Sequence, residues 1–399
     1  MTSFDSLWAV LEPIGRNAGT GGYRRFAWTG EDATLREWFA GEAASRGMEF
    51  VVDRAGNQWA WLGDPDVDGP GVAIGSHLDS VPDGGAFDGP LGIASAFAAL
   101  DALRDSASSG FRLSRPLGIV NFGDEEGARF GVACAGSRLL TGALDADRAR
   151  SLTDVDGTTM AEAMAASGHA VEDVGRDEQA LHRIGTFVEL HIEQGRGLVE
   201  LGRAVGVGAA IWPHGRWRLD IAGEANHAGT TRITDRRDAM LALAHVVIAA
   251  RASAERHGAV TTCGKVMLQP NGVNAIPSHA RAWLDARAAS PEIVRAVLAE
   301  IGAAAALHGG TVVEESWTDR TAFAPELCAR LSTLLRDAPV LETAAGHDAG
   351  ILAAAGIPSA MLFVRNPTGV SHSPSEHAER DDCVRGVAAL ATVIEDLAG

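Results

Sequence analysis

Cysteine is sparse in this chain. Four residues (Cys134, Cys263, Cys328, Cys383) are scattered over 399 positions with no CxxC pair. That pattern points away from a disulfide framework and toward reduced thiols in a cytosolic protein. MTSFDSLWAV has no basic stretch leading into an apolar run, so the N-terminus does not read as a signal peptide. Alanine-rich runs such as LALAHVVIAA are too short and too interrupted to span a bilayer. Internal repeats, linker tracts and low-complexity segments are also missing. Positive charge is in deficit: 34 basic against 52 acidic residues leave −18, with a pI near 5.1. That balance disfavours nucleic acid and anionic membranes as partners, and a negatively charged substrate would need a local cation. The expected location is cytoplasmic.

Apolar residues make up 46% of the chain and charged residues 22%, ordinary for a globular protein. The length exceeds the usual limit of one core and predicts two domains. DATLREWFAGEAASRG predicts a helix from Asp32, as N-cap, to Gly47. MEFVVDRAGNQWAWLG predicts a hairpin, and GVAIGSHLD a buried strand. LGIASAFAALDALRDSA (91–107) reads as a helix, and PLGIVNFGDEEG as a buried strand ending in Asp124, Glu125 and Glu126. Strands alternating with helices predict an α/β sheet whose ligands sit at the strands' carboxyl ends. Residues 144–183 are polar and chemically quiet, and FVELHIEQG then carries Glu189, His191, Glu193 and Gln194 on a strand-like run. From about 210 to 325 the order becomes β-α-β-β-α-β, a ferredoxin-like unit inserted into the first domain.

His77, Asp88, Glu126, His191 and His377 lie at predicted strand ends or in the loops that follow. Imidazoles and carboxylates in that setting are what zinc and its neighbours bind. The His77-x-Asp79 ending, with Asp88 close behind, can place several metal-binding or metal-orienting groups at one strand mouth. Glu125 and Glu126 are adjacent on a turn and point differently, so one can hold a metal while the other takes a proton from water.

Seven blocks run in order across about 75–380: GSHLDSVPDGGAFDG, FGDEEGARFG, ELHIEQG, ANHAGTT, NAIP followed by LDAR, GHDA, and GVSHSPSEH. In these the chain resembles the hydantoinase/carbamoylase branch of the two-metal aminoacylase and carboxypeptidase-like peptidases. That branch holds N-carbamoyl-L-amino-acid hydrolases, allantoate amidohydrolases and β-ureidopropionases. The resemblance implies an α/β fold, a zinc-peptidase-like mixed sheet flanked by helices, in residues 1–209 and 326–399. It implies an inserted ferredoxin-like dimerisation and lid domain in 210–325. It implies two divalent ions (zinc, manganese, cobalt or nickel), with His77 and His191 each on one metal, Asp88 bridging, and Glu126 and His377 completing the shells. Glu125 would be the general base and Asp79 would orient His77. His227, in ANHAGTT, would reach the partner subunit's site in a homodimer and stabilise the oxyanion. Gln194, Asn274 and Arg287 would hold a small-molecule carboxylate substrate, Arg287 through a bidentate pair. His347 and His372 would line that site.

The chain departs from the family's usual wording at Arg232-Ile233, at Trp212-Pro213-His214 and at Pro90. Arg232, Trp212 and His214 would then bear on substrate choice. The implied reaction is cleavage of a linear ureido C–N bond, with allantoate first because FGDEEGARFG and RNPTGVSHSP read most like those members. N-carbamoyl-L-amino acids follow closely. A dipeptidase or aminoacylase is disfavoured by the histidine in ELHIEQG, and a non-catalytic binding protein by the completeness of the ligand set.

Overall fold

The computed structural model describes residues 3–105 and 112–399. The chain forms two compact units, one from the segments ending at Ala210 and beginning at Ala322, the other from Ile211–Thr321.

The first unit is built on a mixed sheet. Its centre is four parallel strands in the order Leu117–Phe122, Gly71–His77, Ile184–Ile192, Ser359–Val364. Three of these, LGIVNF, GVAIGSH and SAMLFV, are buried at every residue, which is why they read as unbroken apolar runs: helices cover a parallel sheet on its faces. Gln58–Leu62 and Glu49–Val52 extend one side antiparallel, as the predicted hairpin. Helices Pro90–Asp105 and Arg380–Ala398 pack on each other and on the central strands, while Asp348–Ala354 packs on Ile184–Ile192 and Ser359–Val364. Parallel strands share one carboxyl edge, so His77, the residues after Phe122 and His191 are delivered together. Residues 106 and 107 of the expected helix lie outside the described residues.

The helix expected from Asp32 begins earlier, at Gly30, and Thr29 is its N-cap. The Thr29 side chain accepts from Asp32 N–H, while the Asp32 carboxylate accepts from Trp28 N–H at 2.8 Å. Both residue types cap well, and the one three places upstream leaves Asp32 free to fold back.

The second unit is a four-stranded antiparallel sheet in the order Gly310–Thr318, His214–Ala222, His279–Arg287, Val260–Gln269. Alternate residues Leu219, Ile221, Ala280, Ala282 and Leu284 are buried with Leu243, Val246, Val297 and Ile301 of helices Ala239–His257 and Pro291–Leu307. Asp238 caps the first helix by accepting from the N–H groups of Met240 and Leu241, and Gly258 ends it in the left-handed region. Among the described residues no helix is long and apolar enough to cross a membrane.

Candidate metal centre

Asp88 is the hub of the first unit's strand-end cluster. Its Oδ1 lies 3.0 Å from His191 Nε2 and 3.5 Å from His77 Nε2. Its Oδ2 faces the other way, 3.4 Å from His372 Nε2, and that imidazole is 3.5 Å from Glu126 Oε2. His77, Asp88 and His191 thus form one group that could hold a cation, and Asp88, Glu126 and His372 a second. Ligands bound at 2.0–2.1 Å around a tetrahedral ion stand roughly 3.3 Å apart, so these separations suit a shared cation. His77 Nε2, His191 Nε2 and Glu126 Oε1 are also buried without a hydrogen-bond partner. Buried polar atoms are seldom left so, and here the orphans converge on the spaces beside Asp88. The donor set fits divalent metal.

The other ring nitrogens are held from behind. Nδ1 of His191 faces Ile192 O at 2.8 Å, and Nδ1 of His77 faces Asp79 O at 3.1 Å with the Asp79 carboxylate at 3.4 Å. These contacts leave Nε2 of each ring as the atom that could meet a cation. The Asp79 carboxylate also accepts from the N–H groups of Glu125 and Glu126, at 3.1 and 3.0 Å. Asp79 therefore ties the His77 strand end to the turn that carries both glutamates. Gly89, at φ +85°, passes so close to the His77 ring that a Cβ there would lie 2.4 Å from Cε1.

Electrostatics show the same convergence. Burial pulls the His77 imidazole down, but Glu125, Asp79 and Asp88 outweigh it and hold it well above its ordinary value. Burial pushes Glu125 well above the usual carboxylate range, helped by Asp348, Glu126 and Asp79 against His77. Glu126 is pushed up to about 7, chiefly by burial and then by Asp88. Burial alone would raise Asp88, yet His191, His372 and His77 keep it well below the normal range. Buried acids under this mutual repulsion are a site for positive charge.

One expected ligand is corrected. His377 is half exposed, 3.4 Å from Glu379 and edge-on to Phe87, outside both groups. The imidazole that reaches Asp88 is His372, at φ +54° in the same loop. Gln194 donates to Asp88 Oδ2 at 2.9 Å and to Ser371 Oγ at 3.0 Å. His347 is buried against the His191 ring, centroids 4.5 Å apart, and burial together with His191 holds its imidazole well below the ordinary value.

Three further residues support the site. Glu189, fully buried, accepts from Ser76 Oγ at 2.9 Å and from Ala349 N–H at 3.0 Å. Glu376 accepts from the N–H groups of Phe87 and Asp88 at 3.0 and 2.9 Å, pinning the loop that carries Asp88. Asp348 accepts from Ser137 Oγ. Period-two alternation, which puts Glu189 on the same face as His191, was a usable signal for the first; the other two lie in the GHDA and GVSHSPSEH blocks, where the neighbouring histidines drew the assignment instead.

The remaining expected residues lie in the second unit. His227 is exposed on a short ribbon, paired with Ala275, and its Nδ1 accepts from Gly229 N–H at 3.0 Å. Asn274 is beside it, its carbonyl accepting from Ala228 N–H at 2.9 Å. Arg287 ends its strand directly opposite His214. The Arg287 guanidinium is paired in fork fashion with Asp285, at 2.7 and 3.0 Å. Nδ1 of His214 faces Trp212 O at 2.9 Å.

Imidazoles and carboxylates gathered at the carboxyl edge of a parallel sheet, around one two-sided carboxylate, define a metal-dependent hydrolase centre. Comparison with known proteins agrees. The chain is 35% identical to the N-carbamoyl-L-amino acid amidohydrolase of Geobacillus stearothermophilus over 422 residues, 100% of this chain and 99% of that one. It is 31% identical to the allantoate amidohydrolase of Escherichia coli (strain K12) over 394 residues, 95% and 93% of the two chains. The fold matches an amidase of the hydantoinase/carbamoylase family from Burkholderia multivorans with a TM-score of 0.85, at 27% identity and over 99% and 98% of the two chains. The chain belongs to peptidase family M20/M25/M40, whose profile matches residues 73–396, and it groups there with the hydantoinase/carbamoylase amidases. It is a hydrolase of carbon–nitrogen bonds other than peptide bonds.

Proposed function

We propose that the protein is a binuclear-metal amidohydrolase that cleaves the linear ureido C–N bond of an N-carbamoyl carboxylate, releasing ammonia and carbon dioxide. The observation that carries this reading is the two-sided Asp88, with His77 and His191 at one oxygen and His372, beside Glu126, at the other. Divalent ions held there (zinc, manganese, cobalt or nickel) supply Lewis acidity for the ureido carbonyl. Glu125, whose Oε2 is 3.8 Å from His77 Nε2, takes the proton of the attacking water and returns it to the leaving nitrogen. Asp79 and Gln194 hold His77, the glutamate turn and Asp88 in place. Arg287 binds the substrate carboxylate, oriented by Asp285.

The second unit adds an argument for a dimer. His227 and Asn274 lie beyond one end of the paired strands His214–Ala222 and His279–Arg287, while His214 and Arg287 are at the other. About 27 Å of strand separates those ends, at 3.4 Å per residue. A small carboxylate cannot meet both pairs from one copy. We assign His227 and Asn274 to the substrate of the partner subunit, with His227 donating to the oxyanion.

Allantoate is the first substrate, on the wording of FGDEEGARFG and the loop at His372. N-carbamoyl-L-amino acids are the second, favoured by the 35% identity along the whole chain. The deciding experiment is ammonia release by the metal-loaded enzyme from allantoate, N-carbamoyl-L-amino acids and N-carbamoyl-β-alanine, with a dipeptide and an N-acetyl amino acid alongside. Turnover of the last two alone, or full activity after chelation, defeats the proposal. Glu125→Gln should abolish turnover while sparing metal content.

A further inference from the structure

The segment after the glutamate turn folds back along it. Cys134 N–H donates to Glu125 O, Ala135 N–H to Asp124 O at 3.0 Å, and Gly136 N–H to Gly123 O at 2.9 Å. Residues 134–136 are therefore a splint laid along 123–125. The fit at its far end is close: a Cβ on Gly136 would lie 2.1 Å from Asn57 Oδ1 and 2.6 Å from Gly123 O. At its near end Cys134 takes the left-handed conformation, φ +54°, which only a minority of side-chain-bearing residues adopt. Its buried thiol then points at the glutamate, with Sγ donating to Glu125 Oε1 at 3.3 Å. The other oxygen, Oε2, faces His77. Asp348 stands close by, and polar atoms of Glu125, Cys134 and Asp348 fall within 4.8 Å of one another.

We infer that Cys134 is a positioning residue for Glu125: its S–H holds Oε1 and thereby aims Oε2 at the reacting water. This inference rests on Glu125 being the general base. A carboxylate has two equivalent oxygens and a free χ3 torsion, so a base gripped at neither oxygen would sample rotations that miss the water. A neutral donor suits the role. A cation there would pair with Glu125 and blunt its basicity, and an apolar side chain would leave Glu125 facing Asp348 without a donor. The thiol's proton stays where it is; the contact moves no electrons and needs no co-reactant.

The test uses the metal-loaded full-length enzyme and its best ureido substrate. Cys134→Ala should lower kcat on the order of 10-fold, the worth of one weak donor to a charged acceptor, with KM within about 2-fold. Cys134→Ser keeps a donor and should recover most of that loss, and both variants should keep wild-type metal content. Wild-type kcat in Cys134→Ala, no recovery in Cys134→Ser, or a loss carried by KM would overturn the inference. The infrared S–H stretch gives a readout independent of turnover: Glu125→Gln should shift one band of the wild-type spectrum, and an unchanged set of bands also overturns it. If Glu125→Gln itself turns over at nearly the wild-type rate, the base assignment has failed and the positioning role goes with it. If Glu125→Gln is inactive while Cys134→Ala is unaffected, only the role of Cys134 has failed.

Discussion

Gly89→Ala adds a single carbon, and its consequence can be worked out from the His77 ring. The new Cβ would lie 2.4 Å from Cε1, 2.5 Å from Nδ1 and 2.7 Å from Nε2. Ordinary carbon contacts begin near 3.5 Å, so the ring would have to withdraw by about 1 Å. His77 is fully buried and has nowhere to go. Metal–ligand distances tolerate only about 0.2 Å, so the displaced Nε2 no longer serves its ion. The left-handed backbone, φ +85°, costs a further ~1–3 kcal/mol of folding stability. We expect metal affinity to fall by about 100-fold or more, at or beyond the upper end of what disturbing a ligand's support does. Competition against a chelator of known affinity, with elemental analysis of the equilibrated protein, measures this directly. Gly21→Ala is the matched control: its φ is +79°, yet a Cβ there meets nothing within 4 Å. It carries the same backbone penalty without the collision and should bind metal as the wild type does. Wild-type affinity in Gly89→Ala, or an equal loss in Gly21→Ala, refutes the reasoning.

The two loop histidines should separate cleanly: His372→Ala loses about one equivalent of bound metal and most activity, whereas His377→Ala retains both by elemental analysis and assay. Arg287→Ala should raise KM for carboxylate substrates by roughly 10- to 100-fold with kcat little changed, as loss of a charge-assisted fork implies; an equal loss on an uncharged analogue defeats that role. If His227 acts in the partner's site, mixing and reassociating inactive His227→Ala and Glu125→Gln should restore about a quarter of wild-type activity, because half the dimers are mixed and each has one intact site. No recovery on mixing counts against action across the dimer. For pH, burial raises the Asp53 carboxyl to about 6, against hydrogen bonds from Trp59 and Asn57 that lower it. A folded-state value above the unfolded one gives stability that is complete below about pH 4 and lost as pH rises through 6. Relative to Asp53→Asn, the wild type should therefore lose roughly 2 kcal/mol between pH 4 and pH 7 in denaturant titrations, and a flat or rising difference counts against it.

Much of this was legible because apolar runs and strand ends are local signals. GVAIGSH and LGIVNF announce fully buried strands, and the parallel order then requires His77 and the Glu125-Glu126 turn to share an edge. His191 follows from the alternation of the strand that also carries Glu189. The choice between His372 and His377 was not legible, because a loop has no period to say which side chain turns inward. That choice is made by ties at the loop's two ends, local at its start and long-range at its end. Asn366 closes the loop's start, donating to Val370 O and accepting from the N–H groups of Thr368 and Gly369. Glu376 anchors its end on Phe87 and Asp88, nearly 300 residues away in sequence. Those ties leave His372 in the left-handed region and aimed at Asp88, with His377 on the outside. The cap at Thr29 is the same problem at smaller scale: two competent residues three places apart, decided by which one the backbone bends around.

For the proposed hydrolase, the charge balance around Asp88 is an argument for two ions over one. Asp88, Glu125 and Glu126 face the spaces between the imidazoles, and no arginine or lysine among the described residues pairs with any of them. The acids behind them accept from neutral donors: Glu189 from Ser76 and Ala349, Asp348 through one oxygen from Ser137, Glu376 from two backbone N–H groups. Three facing carboxylates against one divalent ion would leave a negative site, hostile both to the charge that develops on the carbonyl oxygen and to an anionic substrate. Against two divalent ions they leave a single positive charge, matched to that developing oxyanion. The same balance explains how a chain of net charge −18 can take a carboxylate substrate. Under the proposed function, attraction need not come from the molecule as a whole: bound cations would supply it locally, and Arg287, held by Asp285, is the proposed partner of the substrate carboxylate. Full activity at one ion per chain would invert this argument and require Glu125 to work with its proton already bound.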